Sequence, residues 1–191
     1  MKKVLFYKLG LLILLVNLSS CKADAIYFRL TDEVKSFLFF EVNDTFKLKN
    51  VETDAVITYS VTKKEYSFYE DPENLESSFI AFPTFGKKDK VFLEEGIYTF
   101  TDGGTCNNGE FRAYAKKEGG FAIFIYFKAC FGIYDSFELV NNSTQTVIIN
   151  GVSYFNVSVF RGYTGILYYS KTHGIVQIVN PNQAVLFEIV P

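Results

Sequence analysis

Carboxylates are the most plentiful side chains in this sequence that could do chemistry. They are concentrated at Glu70, Asp71, Glu73, Glu76, Glu94 and Glu95. Two carboxyl groups about 5 to 9.5 Å apart are enough for a glycoside hydrolase, one as the acid and the other as nucleophile or base. Charged clusters of this kind are also typical of a solvated helix face. A carboxylate-based glycan hydrolase is therefore an alternative only, and we assign no catalytic residue.

The other candidates for catalysis or metal binding are few. His173 is the only histidine, and it precedes a glycine in "KTHG", which predicts a solvated turn. One histidine excludes multi-histidine zinc sites and leaves little material for a Ser–His or Cys–His pair. The segment "DGGTCNNGE" lacks the spacing of a calcium loop, and no phosphate-binding glycine loop is present. We therefore predict neither a metal nor a cofactor.

Cys106 and Cys130 flank a predicted hairpin around "KKEGG". If Ala115 pairs with Phe121, paired positions sum to 236, and the two cysteines also sum to 236. Directly opposite Cα atoms lie about 4.5 to 5.5 Å apart, which is within disulfide range. We predict a structural disulfide, and two buried free thiols are the alternative.

The N terminus predicts export from the cytoplasm. Three lysines, at positions 2, 3 and 8, accompany the apolar run Leu9–Leu18. A basic start, a short apolar run and small residues after it are typical of a secretory signal. The apolar run is much shorter than the roughly 20 residues that a membrane-spanning helix needs. Ala23-Asp24-Ala25 would allow ordinary signal cleavage and leave a plain secreted protein.

A second processing site comes directly at the end of the apolar run. Leu18-Ser19-Ser20-Cys21 resembles the lipobox of bacterial lipoprotein precursors: an aliphatic residue, two small residues and a cysteine. This resemblance implies that the Cys21 thiol takes up a diacylglyceryl group as a thioether. Cleavage before Cys21 would then free its amine for acylation. Two or three acyl chains exceed the single chain that gives only reversible membrane attachment.

The lipobox resemblance and the strand-like pattern after it together predict a division of the chain. Residues 1–20 are expected to be a cleaved signal peptide, 21–25 the lipidated cysteine with a short tether, and 26–191 a single β-rich domain. The segments "DEVKSFLFFEVNDTFKLKN" and "YYSKTHGIVQIVNPNQAVLFEIV" are similar to segments of small envelope lipoproteins of Gram-negative bacteria. Lys22 after the cysteine is similar to lipoproteins sent to the outer membrane. We therefore expect a lipid-anchored protein at the outer membrane, on its periplasmic face or at the cell surface.

Composition excludes one class of partner. Removal of residues 1–20 leaves 171 residues with 16 basic and 21 acidic side chains, a net charge of −5. The chain has three arginines and no basic stripe, so we predict no binding to nucleic acid. The 21 phenylalanines and 13 tyrosines fall largely in strand-like runs, and such residues suit the half-buried surface of a sheet.

Short alternating segments separated by turn residues predict an all-β fold. We expect an antiparallel β-sandwich or barrel-like meander. One short helix is predicted after Thr31, with Asp32 and Glu33 in its first turn, and a second after Asp71 with Pro72 at its first position. We also predict turns at "EEG", between strands 91–93 and 97–101, and at "NNST", between strands 137–140 and 146–149.

The functional expectation rests on the anchor, the strand pattern and the missing catalytic set. We expect a non-enzymatic binding or interaction module that contacts an envelope protein partner or a glycan. A purely structural envelope component is a further alternative. Tyrosines could supply stacking surfaces for sugars, but Tyr168 and Tyr169 must point to opposite faces of their strand, so at most one of them is outside.

Overall fold

The computed structural model describes residues 25–71, 90–130 and 133–191. It contains one α-helix, α1 (Asp32–Lys35), and a single 3₁₀ turn at Lys117–Gly119 within those ranges. Eleven strands account for most of the rest. They are β1 (Ala25–Phe28), β2 (Thr45–Asn50), β3 (Val56–Glu70), β4 (Lys90–Thr101), β5 (Asn108–Ala115), β6 (Phe121–Ala129), β7 (Ile133–Ile149), β8 (Val152–Arg161), β9 (Ile166–Ser170), β10 (Gly174–Val179) and β11 (Val185–Ile189).

The strands from β2 to β11 form a ten-stranded antiparallel barrel. Each of these strands pairs with its neighbours in the chain, and β11 pairs with β2 to close the barrel, with Phe187 opposite Asn50. β1 is an additional strand beside β4. The predicted all-β fold is confirmed, and of the two predicted architectures the structure adopts the barrel-like meander. Closure leaves these ten strands with no unpaired edge along their main pairings.

Aromatic side chains fill the interior of the barrel. Alternate residues of each strand point inward, as on β5, where Phe111, Ala113 and Ala115 are buried while the residues between them are not. Rings from distant strands pack together: Tyr98 stacks on Phe111 with ring centroids 5.2 Å apart. The interior is therefore a packed core.

The segment between β1 and β2 contributes to this core. Its side chains at Leu30, Val34, Phe37, Leu38 and Phe40 are all buried. The ring of Phe37 lies 6.3 Å from Phe111 of β5 and 6.1 Å from Tyr169 of β9. We call residues 30–40 the plug, because their side chains enter the core between strands on different sides of the barrel.

The predicted helix after Thr31 is confirmed as α1. The hydroxyl of Thr31 accepts a hydrogen bond from the Val34 N–H at 3.3 Å, and Asp32 and Glu33 occupy the first turn. The helix ends after one turn, because Phe37 and Leu38 must reach the core. The helix predicted at Pro72 lies outside the described residues.

The predicted turn at "EEG" is wrong, because residues 94–96 lie inside the continuous strand β4. Gly96 is a site of close packing: a Cβ there would come within 2.7 Å of Leu38 and 2.8 Å of Tyr66. Glu94 is buried, where its carboxylate accepts a hydrogen bond from the Leu30 N–H at 2.9 Å and pairs with Lys35 at 2.8 Å. Gly96 and Glu94, which suggested a turn in the sequence, are both in contact with the plug in the structure.

The predicted turn at "NNST" is also wrong, because β7 runs without interruption from Ile133 to Ile149. Leu139 pairs with Phe160 and Thr144 with Ser158, so β7 advances five positions while β8 advances two. The polar residues form a large bulge in the strand, which accounts for their turn-like composition.

The chain divides into two compact units. The larger one, Phe28–Phe68 with Leu93–Pro191, contains the plug and most of the barrel strands. In the smaller one, Met1–Tyr27 with Tyr69–Phe92, the described residues form a short sheet: Tyr27 stacks on Phe92 at 5.1 Å, and Asp71 donates its N–H to the carbonyl of Val91.

Candidate functional site

The outward face of strands β4 to β7 carries polar and aromatic side chains in register. One cross-strand row consists of Thr101, Asn108, Lys128 and Tyr134. The next row consists of Thr99, Glu110, Tyr126 and Ser136. Outward side chains in one row lie about 5 Å apart on neighbouring strands. The sequence alternation of β5 and β6 therefore places chemically diverse groups on one outer surface.

All members of these rows except Ser136 line an open groove of about 560 Å³. This volume is in the range of small-molecule sites, about 300 to 1,000 Å³. Thr62 of β3 extends the lining to a fifth strand, and its hydroxyl lies 3.0 Å from the hydroxyl of Thr99. We call this surface the groove; its hydroxyl and amide groups come from Thr62, Thr99, Thr101 and Asn108.

A cluster of one arginine and two carboxylates lies along one side of the groove. Arg112 donates to Glu110 through Nε at 2.9 Å and through Nη2 at 2.7 Å, and its Nε lies 3.5 Å from a carboxylate oxygen of Glu95. Partial burial lowers the pKa of the Arg112 guanidinium, but the charges of Glu110 and Glu95 raise it by more, so the pKa is raised overall. The two carboxylates fix the guanidinium, and the three groups together carry a formal charge of −1.

Two tyrosines expose ring surface at the groove. The side chain of Tyr126 is 41% exposed and that of Tyr134 is 82% exposed. The ring of Tyr126 lies beside Phe124, with centroids 6.4 Å apart, and Arg112 Cζ is 6.0 Å from its centroid. Tyr126 is therefore held by neighbours on two strands, whereas Tyr134 is accessible over most of its surface.

Lys128 supplies the remaining charge of the groove. It stands between Asn108 and Tyr134 in its row and is half-buried. Among the described residues, no carboxylate lies within 4.0 Å of its ammonium group. Glu110 is already paired with Arg112. Lys128 thus gives the groove a positive charge that has no ion-pair partner among the described residues.

The disulfide between Cys106 and Cys130 lies at one end of the groove. Their Cα atoms are 5.0 Å apart, and Ala115 pairs with Phe121 in the register that the sequence predicted. The side-chain oxygen of Asn107 accepts a hydrogen bond from the Cys130 N–H at 2.9 Å, which adds a second link across the same strands. The crosslink therefore fixes the strand ends that carry Asn108 and Lys128.

The described carboxylates first considered for catalysis have separate partners. Glu70 pairs with Lys90 in the smaller unit, Glu94 holds the plug, and Glu95 binds Arg112. Glu73, Glu76 and the lipidation candidate Cys21 lie outside the described residues.

His173 lies in the turn between β9 and β10, exposed to solvent. Its Nδ1 is 2.8 Å from the Thr172 hydroxyl, and its ring meets Tyr154 edge-on at 5.3 Å. The alternation of "NGEFRAYA" and "FAIFIYFKA" is the signal that could have identified the groove residues instead.

Three further observations concern ligands and relatives. Over residues 25–71, 90–130 and 133–191, no three His, Cys, Asp or Glu side chains are grouped as a metal site would require. Within the same ranges, no helix has the length and apolar character needed to cross a bilayer. No protein-family model matches the chain, and neither the curated proteins nor the solved structures include a match.

Proposed function

We propose that this chain is a lipid-anchored protein of the bacterial envelope, most specifically of the outer membrane, and that it is a non-enzymatic binding module. Its ligand, a glycan or a segment of an envelope protein, lies in the groove. The observation that supports this most is the combination, in one 560 Å³ groove, of exposed tyrosine rings, threonine hydroxyls and a lysine with no ion-pair partner among the described residues. Such sites orient a ligand with a few polar groups on an apolar surface.

The distribution of carboxylates favours binding over hydrolysis. A glycoside hydrolase needs two carboxyl groups that face the bond to be cleaved, about 5 to 9.5 Å apart. Glu110 is the one carboxylate among the described lining residues of the groove, and both it and Glu95 are ion-paired with Arg112. Because one guanidinium engages both Glu110 and Glu95, these acids are better suited to fixing the surface than to transferring protons.

The N-terminal sequence supports the location. Leu18-Ser19-Ser20-Cys21 has the residue types that lipid attachment requires, and β1 begins at Ala25. A tether of a few residues would keep the barrel close to the bilayer, where its groove meets envelope polymers and proteins. The acidic mature chain gains no attraction to anionic lipid, so the acyl chains must supply the attachment.

In-cell photo-crosslinking tests the groove as the binding site. We expect p-benzoylphenylalanine in place of Tyr134 to capture envelope material in intact cells, because that side chain borders the groove. The same substitution at Phe155 is the matched control: this aromatic residue of β8 is 67% exposed but is not part of the groove. Identical adduct patterns at the two positions, or none at Tyr134, would contradict the proposal.

A further inference from the structure

We propose that the ligand of the groove is an oligosaccharide that carries a carboxylate, and that Lys128 selects for that charge. This inference rests on the binding function proposed above and specifies its ligand class. It follows from the charge of the groove, the kind of hydrogen-bonding groups in it and the pairing of its strands.

The lining of the groove carries one more cation than carboxylates, because Arg112 and Lys128 stand against Glu110 alone. Arg112 is neutralised by Glu110 at 2.7 Å and approached by Glu95 at 3.5 Å, so neither acid is free for Lys128. Lys128 is flanked in its row by Asn108 and Tyr134, which are uncharged. A lysine at a half-buried position, with no carboxylate of the described residues within 4.0 Å of its ammonium group, favours a ligand that supplies a negative charge.

The uncharged groups favour a sugar as the carrier of that charge. The hydroxyls of Thr62 and Thr99 and the amide of Asn108 can both donate and accept hydrogen bonds, which matches the hydroxyl groups of a sugar ring. The exposed faces of Tyr126 and Tyr134 provide apolar surface with a polar tip at the same site. Aromatic surface, hydroxyls and one cation together suit a uronate-type oligosaccharide.

The strand pairing argues against a polypeptide ligand added as a strand. Recognition by strand addition requires a sheet edge with free N–H and C=O groups. The groove lies on the face of β3 to β7, and its central strands are paired on both sides: β4 with β3 and β5, β5 with β4 and β6, and β6 with β5 and β7. A nucleic acid is also unsuited, because a single uncompensated lysine cannot neutralise several phosphates.

Matched binding measurements test the inference. The full chain in detergent micelles is titrated with hexamers of galacturonate, guluronate and hyaluronan, and with the same oligomers after carboxyl reduction. We expect at least one acidic oligomer to bind about tenfold or more tightly than its reduced form, since a hydrogen bond to a charged group contributes enough for such a ratio. Raising the salt concentration should remove most of this preference.

Variants test whether Lys128 causes the preference for the acidic oligomer over its reduced form. Lys128→Met should lower the affinity for the acidic oligomer about tenfold while leaving the reduced oligomer unaffected, and Lys128→Arg should retain the preference. Lys116→Met is the matched control, because Lys116 is an exposed lysine of the turn between β5 and β6, outside the groove. The urea midpoint of each variant verifies that it folds.

The outcomes separate this inference from the proposed function. Equal affinity for acidic and reduced oligomers, or an unchanged preference in Lys128→Met, overturns the inference. If Tyr134→Ala lowers the affinity for either oligomer, the groove would still be supported as a binding site. A protein adduct at position 134 with no oligosaccharide binding also overturns the inference alone. If no oligomer binds and position 134 captures nothing, both proposals fail.

Discussion

At the scale of single residues, two buried tyrosines connect the plug to the barrel. Tyr169 of β9 donates its hydroxyl hydrogen to the carbonyl oxygen of Phe37 at 2.7 Å, and the Tyr98 hydroxyl of β4 lies 3.0 Å from the Tyr169 hydroxyl. Burial raises the pKa of both phenols, so they stay neutral. The chain of hydrogen bonds pairs three polar groups that would otherwise be buried alone.

Tyr169→Phe should lower the free energy of unfolding by about 1 to 3 kcal/mol, because it leaves the Tyr98 hydroxyl and the Phe37 carbonyl unsatisfied. Tyr98→Phe should cost less, about 0.5 to 1.5 kcal/mol, since the Phe37 bond remains. Tyr59→Phe is the control: the Tyr59 hydroxyl is buried without a partner, so its removal should be neutral or stabilising. Urea titrations measure all three, and equal losses for Tyr59→Phe and Tyr169→Phe would contradict this account.

The sequence predicted part of this arrangement. The alternation of a strand puts Tyr168 and Tyr169 on opposite faces, and the structure buries Tyr169 in the main core while Tyr168 packs against a second, smaller cluster. The partner of the Tyr169 hydroxyl was beyond prediction, since Phe37 is 132 positions away and no local pattern connects them. Lys128 is a similar case. The sequence shows that it is a lysine, but only the structure shows that no carboxylate of the described residues lies within 4.0 Å of its ammonium group.

At the scale of elements, the β5–β6 hairpin is where local sequence was most informative. A short turn at "KKEGG" fixed one register, and every pair from Ala115–Phe121 to Asn108–Lys128 follows it. Extension of that register by one further pair on the same face brings Cys106 opposite Cys130. Prediction failed at "EEG" and "NNST", because turn-type residues also occur at tight packing positions and bulges, which tertiary contacts decide.

Loss of the disulfide should destabilise the barrel. The Cys106→Ser, Cys130→Ser double variant should lose about 2 to 4 kcal/mol of unfolding free energy, the range expected for an ordinary structural disulfide. The urea midpoint should match that of the parent chain treated with dithiothreitol, which serves as the control. If the oxidised parent and the double variant unfold at the same urea concentration, the bond contributes nothing to stability.

At the scale of the whole molecule, the interior of the barrel provides stability and its outer face carries the proposed binding groove. Aromatic rings fill the interior, whereas the groove lies on the outer face of strands that the interior holds in place. The local pattern predicted neighbouring antiparallel strands but could not choose between a sandwich and a barrel. That choice depends on pairing between β2 and β11, which lie near opposite ends of the chain. The result is an outer surface whose strands are held by the packed interior.

The proposed lipid anchor places the acyl chains on Cys21, so Cys21→Ser should abolish lipid attachment. Each buried methylene contributes about 0.8 kcal/mol, so loss of two or three acyl chains converts stable attachment into none. We expect radiolabelled palmitate to mark the parent chain but not the variant, and the variant to move from the detergent phase to the aqueous phase on Triton X-114 partitioning. The Cys106→Ser, Cys130→Ser chain is the matched control. It should keep its label, because it retains Cys21 and lacks only the two cysteines that are not the proposed attachment site. Labelling and partitioning of Cys21→Ser like the parent would refute the anchor, and with it the location from which the groove is proposed to act.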